Sequence, residues 1–303
     1  MKKIIWISSY PKSGNTFLRA MLSAFFYSEN GIFEQDYLKN ILEFPRDFFK
    51  LKTSNNFLNE INEYAGIQKK ISNTDKEIIF LKTHLANITV NKTIPTINKD
   101  YSMCAIYIVR DPRNVILSLK NHYNLEVKDC FNFLTNDKNF ICIQNKKLSK
   151  GYTPILDWST NYLSWKKQQN INTIFVKFED LVFDQKNTFI YILNELKKYI
   201  NLEIDQNKIQ NIVKTTNFKY LRQLEEKEGF IENKIMGIQN NNKFFFNKGA
   251  EQDFSKNLEK NIINEVNKKY KELLTELNYL KNYIYMLACN EIDQRQEIKI
   301  IKK

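Results

Sequence analysis

The sequence predicts an α/β fold, a single domain with a central parallel sheet flanked by helices, and three observations carry that expectation. Short apolar runs at Lys3–Ser9, Glu77–Lys82, Met103–Val109 and Thr173–Phe178 read as buried strands. Segments with helical apolar spacing alternate with them, which implies parallel strands covered on both faces. The chain has 303 residues, 43% of them hydrophobic, enough for a full core.

The first strand rests on Ile4, Ile5, Trp6 and Ile7 and breaks at Tyr10-Pro11 into the small polar stretch Lys12-Ser13-Gly14. Leu18, Met21, Leu22 and Phe25 then repeat at helical spacing and predict a helix over Gly14–Tyr27. Strand, tight loop and helix start form a geometry that holds an anion. The helix start offers unpaired N–H groups and the positive end of its dipole, Gly14 lets the backbone approach closely, and Lys12 supplies the counter-charge. The string is neither GxGxxG nor GxxxxGK[ST], so the loop alone does not name its ligand.

Further helices are expected over Pro112–Leu125, Pro154–Gln169, Asp184–Tyr199, Asp205–Lys214 and Ser255–Leu280. Phe33–Asn73 and Lys128–Thr153 show no such period and are expected to be irregular. With no repeat, low-complexity tract or linker, the domain is expected to run over residues 1–280, and 281–303 to form a helical or frayed tail.

A net charge of +12 fits an anionic ligand, a nucleic acid or an acidic surface. The lysines are scattered along the whole chain rather than gathered in a stripe, so no nucleic-acid partner is expected. Cys104, Cys130, Cys142 and Cys289 have no metal-binding spacing, and His84 and His122 are the only histidines, so no metal is expected. No secretion signal and no apolar run of the ~20 residues a membrane span needs are evident, which makes the cytoplasm the expected location.

The first strand ends in "YPKSGNT", the second in "FLKTHL" and the third in "IVRDPRN". All three ends would meet at the C-terminal edge of a parallel sheet, where open α/β folds bind ligands, and would bring Lys12, Lys82, His84 and Arg110 into one pocket. Arg110, with Ser118 two turns into the next helix, makes a second anion site because guanidinium binds phosphate in a fixed geometry. Two anion sites on adjacent strands imply a ligand with two separate phosphate groups.

"YPKSGNTF", "KTHL", "IVRDPRNVILS", "FEDL", "TTNF" and "FNKG" followed by "DF" stand in an order and spacing that resembles the PAPS-dependent sulfotransferase superfamily, from Ile4 to Phe254. Asn15 and "DWSTNYLSW" look like its bacterial branch. The resemblance implies a P-loop-like nucleotide-binding architecture and, as co-substrate, 3'-phosphoadenosine 5'-phosphosulfate (PAPS), with no metal. It implies that Lys12, Ser13, Gly14, Asn15, Thr16 and Phe17 grip the 5'-phosphosulfate, with Phe17 stacking on adenine. By the same likeness Arg110 and Ser118 hold the 3'-phosphate, Lys248 and Gly249 belong to a late loop that closes over it, and Thr216 and Phe218 lie beside the adenine. Phe178 stands where the family usually has Tyr, and Asn247 where it usually has Arg.

The catalytic set implied is Lys12 on the leaving group, His84 as base, Lys82 adding charge near the transferring group, and Ser118. A strand-end histidine is more often structural, and the match to the family's base reverses those odds for His84. Phe33–Asn73 and Lys128–Thr153 become candidate acceptor-binding insertions. The acceptor is expected to carry a hydroxyl, as a glycan, phenol or small metabolite does. His122 lies one turn past Ser118, where the family lines its acceptor pocket, though a partly exposed helix histidine would look the same. Two other readings stay open: a P-loop-type nucleotide kinase, which the missing Walker spacing disfavours, and a basic nucleic-acid-binding protein, which fits the charge.

Overall fold

The structure, a computed structural model, describes residues 2–49, 57–145, 148–168, 170–231, 244–246 and 253–280. Its strands are β1 (Ile4–Ser9), β2 (Leu42–Glu43), β3 (Ile79–Thr83), β4 (Thr89–Val90), β5 (Ile94–Pro95), β6 (Ser102–Val109), β7 (Phe140–Asn145), β8 (Leu148–Pro154) and β9 (Thr173–Lys177). Five of them form one parallel sheet in the order β2-β3-β1-β6-β9, while β4 with β5 and β7 with β8 make two antiparallel pairs.

Every residue of β1 is buried, and its side chains alternate between two cores. Ile4 and Trp6 enter one with Tyr64, Leu117, Trp158 and Trp165, and Ile5 and Ile7 enter the other with Leu18, Met21, Phe189 and Ile209. A strand covered on both faces must be apolar throughout, which is why it reads as a continuous run. Burying each such side chain contributes roughly 1.5–3 kcal/mol.

The helices are α1 (Asn15–Tyr27), α2 (Phe57–Ser72), α3 (Pro112–Tyr123), α4 (Val127–Thr135), α5 (Trp158–Lys167), α6 (Phe178–Phe183), α7 (Gln185–Leu196), α8 (Gln206–Thr216) and α9 (Phe218–Glu228), followed by Phe254–Asn257, Lys260–Lys269 and Lys271–Glu276. The chain leaves β1 toward β2 and β3 but leaves β6 toward β9 on the opposite side. The C-terminal ends of β1 and β6 are therefore the switch point at which such sheets take ligands.

All four expected sheet strands are present, and several other expectations need correction. Phe33–Asn73 is not irregular: it holds β2, two 3-10 turns and the 16-residue α2. The buried face of α2 carries Ile61 and Tyr64 but also Gln68 and Ser72, and those polar positions hide the apolar period. Gln68 is satisfied in the core by donating to the Thr96 carbonyl at 3.0 Å and accepting from the Asn98 amide at 2.8 Å. Lys128–Thr153 likewise contains most of α4 and the β7–β8 hairpin. α5 begins at Trp158 rather than Pro154, because Asp157 caps it by accepting from the Ser159 and Thr160 amides. The single helix expected over Ser255–Leu280 is three short ones; Tyr270 separates the last two, buried with its hydroxyl donating to the Leu134 carbonyl at 3.1 Å. Among the described residues no helix is long and apolar enough to cross a membrane. The expected tail, 281–303, and the site positions Asn247, Lys248 and Gly249 lie outside the described residues.

Candidate functional site

The turn out of β1 uses two left-handed positions, Lys12 at φ 65° and Gly14 at φ 96°. Gly14 is constrained twice, because a Cβ there would also lie 2.2 Å from Cδ2 of Phe178. The missing side chain thus lets the loop press against the ring that opens α6. No side chain caps the start of α1, so its first N–H groups are left to the loop. Asn15 Nδ2 donates to the Ile7 carbonyl at 2.9 Å and to Ser9 Oγ at 3.2 Å, tying that helix start to the strand before it. The hydroxyl of Ser13 is fully buried with no hydrogen-bond partner among the described residues. A buried donor of that kind fits an anion seated in the loop.

From β6, Arg110 reaches the same loop: its Nη1 donates to the Lys12 carbonyl at 3.0 Å, and its guanidinium lies 4.2 Å from the centroid of Phe178. Burial lowers the Arg110 pKa from its ordinary value while Glu179 and Asp111 oppose the shift; arginine remains a cation at neutral pH. The start of α3 beside it is rigid. Asp111 caps the helix at the Arg113 amide, and its two oxygens take Nε and Nη2 of Arg113 at 2.9 and 2.6 Å. Ser118 is half-buried two turns further along α3. Asn114, one turn before it, has a buried Oδ1 with no hydrogen-bond partner among the described residues.

Three of the expected aromatic positions come together, Phe17 lying 6.4 Å from Phe178 and 6.0 Å from Phe218 between centroids. Phe246 adds an edge contact to Phe218 at 5.7 Å. Its neighbour Phe245 carries the Lys12 ammonium 4.3 Å from its centroid and meets His122 at 5.8 Å. The segment is clipped to α9, for the Phe245 and Phe246 amides donate to the two oxygens of Glu225 at 2.6 and 2.9 Å. Arg222 also donates to the Phe246 carbonyl at 3.0 Å. Thr216 is placed differently from its neighbours. Its hydroxyl is engaged between α7 and α8, donating to the Ile212 carbonyl at 2.7 Å and accepting from Gln185 at 2.8 Å.

His84 follows β3 and bonds through Nδ1 to the Ser9 carbonyl at 2.8 Å. A carbonyl only accepts, so Nδ1 carries the proton and Nε2 keeps its lone pair. Burial pushes the His84 pKa down to about 4, with Lys82 adding to the shift and Glu43 opposing it, and the imidazole is neutral at pH 7. Lys82 does not stand in the site as a lone cation: its Nζ lies 2.8 Å from Oε2 of Glu43, and Nη1 of Arg46 reaches that same oxygen at 2.8 Å. Burial disfavours ionisation of Glu43, yet Lys82, Arg46 and His84 together hold its pKa down to about 2.

Glu43, Arg46, Glu225 and Phe245 are site neighbours that motif reading misses. Glu43 meets Lys82 only because a two-residue strand pairs with β3 in that register. For Phe245 a signal was there, the run Phe244-Phe245-Phe246 just ahead of Asn247. Among the described residues no group of His, Cys, Asp or Glu is arranged to hold a metal ion.

The family model for the sulfotransferase domain matches residues 2–278. Comparison with curated protein sequences yields no match. Among solved structures the chain is similar to retinol dehydratase in complex with androsterone and the inactive cofactor PAP, with TM-score 0.59 and 15% identity over 89% of this chain and 80% of that one. It is also similar to a mouse sulfotransferase complexed with PAP, with TM-score 0.53 and 19% identity over 91% of this chain and 84% of that one. A retinol dehydratase complex with retinol and PAP gives 0.56 and 16% over 90% and 82%. At such identities the structural likeness is one of fold.

Proposed function

This chain belongs to the sulfotransferase domain family, and on that premise we propose that it moves the sulfuryl group from PAPS to an acceptor hydroxyl by in-line displacement. The observation that carries the reading is the bond from Arg110 to the Lys12 carbonyl, which joins a buried guanidinium to the anion loop across the β1–β6 switch point. One ligand with phosphate groups at both ends suits that pairing. Family membership favours this reading over the kinase and nucleic-acid-binding alternatives.

The 5'-phosphosulfate sits in the loop of Lys12, Ser13, Gly14, Asn15 and Thr16, where the open helix start and the Ser13 hydroxyl supply donors. The 3'-phosphate lies at Arg110 and Ser118. Adenine packs among Phe17, Phe178 and Phe218, with Thr216 fixing the helix end beside them through its two hydrogen bonds.

Sulfuryl transfer asks a protein mainly for alignment and charge stabilisation. The bond from sulfur to the phosphate oxygen breaks as the bond from sulfur to the acceptor oxygen forms. Lys12 exchanges its place over Phe245 for the leaving oxygen. Nε2 of His84 takes the acceptor proton, while Nδ1 stays bonded to the Ser9 carbonyl, which keeps the ring in one tautomer and steadies the imidazolium that forms. The low pKa of the resting ring rises toward the working range as an anionic sulfuryl group approaches it. Lys82 faces the sulfuryl oxygens, and the acceptor is a glycan, a phenol or a small hydroxylated metabolite.

Incubation with PAPS and a cell extract, followed by mass spectrometry, tests the reading. A product heavier by SO3 is expected together with adenosine 3',5'-bisphosphate (PAP), and neither is expected with Lys12→Ala. PAPS consumption equal in both proteins would refute it.

A further inference from the structure

The edge strand β2 contributes only two residues, and one of them is a carboxylate facing the site. Glu43 pairs with Lys82 in the sheet register, accepts from its ammonium at 2.8 Å, and takes Arg46 on the same oxygen at 2.8 Å. The Glu43 and Lys82 side chains are 13% and 9% exposed, so water screens the contact little. The backbone around Glu43 is also tied down. Its amide donates to Oδ2 of Asp47 at 2.7 Å, Oδ1 of Asp47 takes Nε of Arg46 at 2.9 Å, and the Phe44 amide donates to the Lys82 carbonyl at 2.8 Å. Among the described residues His84 and Tyr123 also sense this carboxylate.

We propose that Glu43 is a positioning residue of the transfer centre, holding the Lys82 ammonium in one orientation beside His84 before substrate arrives. The inference rests on the roles given to Lys82 and His84 above. An ammonium has three donors, and using one on Glu43 leaves the others for sulfuryl oxygens. A lysine head on a four-carbon stem otherwise samples many rotamers, and fixing it in advance takes that ordering out of the reaction step. Arg46 matters as well: with two cations on one carboxylate Glu43 stays ionised, and Asp47, bonded to Arg46, completes a cluster of two cations and two carboxylates that holds the Lys82 ammonium in place.

Nitrogen-15 NMR of lysine-labelled protein tests this, because an ammonium held in a buried ion pair gives a slowly exchanging NH3+ signal. The Lys82 signal, assigned by its loss in Lys82→Arg, is expected in the wild type, absent in Glu43→Gln and recovered in Glu43→Asp. PAP formation from PAPS, with cell extract as the acceptor source, is expected to fall about tenfold or more in Glu43→Gln and to recover partly in Glu43→Asp. PAP affinity should stay within about twofold, which shows the fold and nucleotide site intact. A Lys82 signal absent from the wild type, one unchanged in Glu43→Gln, or an unchanged rate in that variant would overturn the proposal. If wild-type protein consumes no PAPS, the transfer reading fails instead, and the ammonium signal still decides whether Glu43 holds Lys82.

Discussion

Nη1 of Arg110 lies 3.0 Å from the carbonyl oxygen of Lys12, and the same guanidinium covers the ring of Phe178. The contact ties the loop after β1 to the end of β6 while Phe178 fills the space that Gly14 leaves open. Loop, guanidinium and ring form one interlocked unit, and a change in one of them should be felt in the others.

Gly14→Ala tests the interlock. It imposes backbone strain worth roughly 1–3 kcal/mol at φ 96° and drives a methyl group into Phe178, adding overpacking of roughly similar size. Measured in a Phe178→Ala background, which itself loses the packing of that ring, Gly14→Ala should cost only the backbone part. Thermal unfolding of the single and double variants reads the difference, and a Gly14→Ala protein as stable as the wild type would contradict the geometry.

Lys12→Ala and His84→Ala are both expected to abolish sulfuryl transfer while the fold survives, by different routes. In the proposed mechanism Lys12 acts on the leaving group and His84 on the nucleophile, so His84→Ala should bind PAP with wild-type affinity. Near-normal turnover of His84→Ala across pH would remove the base assignment.

Acid stability separates His84 from Glu43. The folded-state pKa of His84, about 4, lies below its ordinary value of 6.5, so the unfolded chain binds the proton first. Stability should therefore fall as pH drops from 6.5 toward 4, and His84→Gln should flatten that slope. Glu43, held at about 2 against an ordinary 4.5, contributes stability that is present above pH 4.5 and lost as pH falls toward 2. Urea midpoints from pH 7 to pH 3 check both windows. An unchanged slope between 6.5 and 4 in His84→Gln would show that His84 is not buried in neutral form.

The parts of this fold that were legible share one physical cause. β1, β3, β6 and β9 lie in a sheet covered on both faces, and such strands advertise themselves as apolar runs. The polar residues at their ends were legible too, because strand direction alone gathers Lys12, His84 and Arg110 at one edge. α2 was hidden because Gln68 and Ser72 are buried on its inner face. The partner of Lys82 was hidden for another reason: Glu43 reaches it through a two-residue pairing whose register depends on the rest of the sheet. Phe245 over Lys12 likewise follows from the clip between Glu225 and two amides, a contact no local pattern encodes.

Calorimetric titration of the wild type and of Arg110→Lys with PAP and with AMP tests the central claim most directly. A site built for two separated phosphate groups should bind PAP at least about tenfold more tightly than AMP, a difference of roughly 1.4 kcal/mol or more. Arg110→Lys should erase most of that margin, since lysine cannot reproduce the forked contact. Equal affinity of the wild type for PAP and AMP would contradict the account.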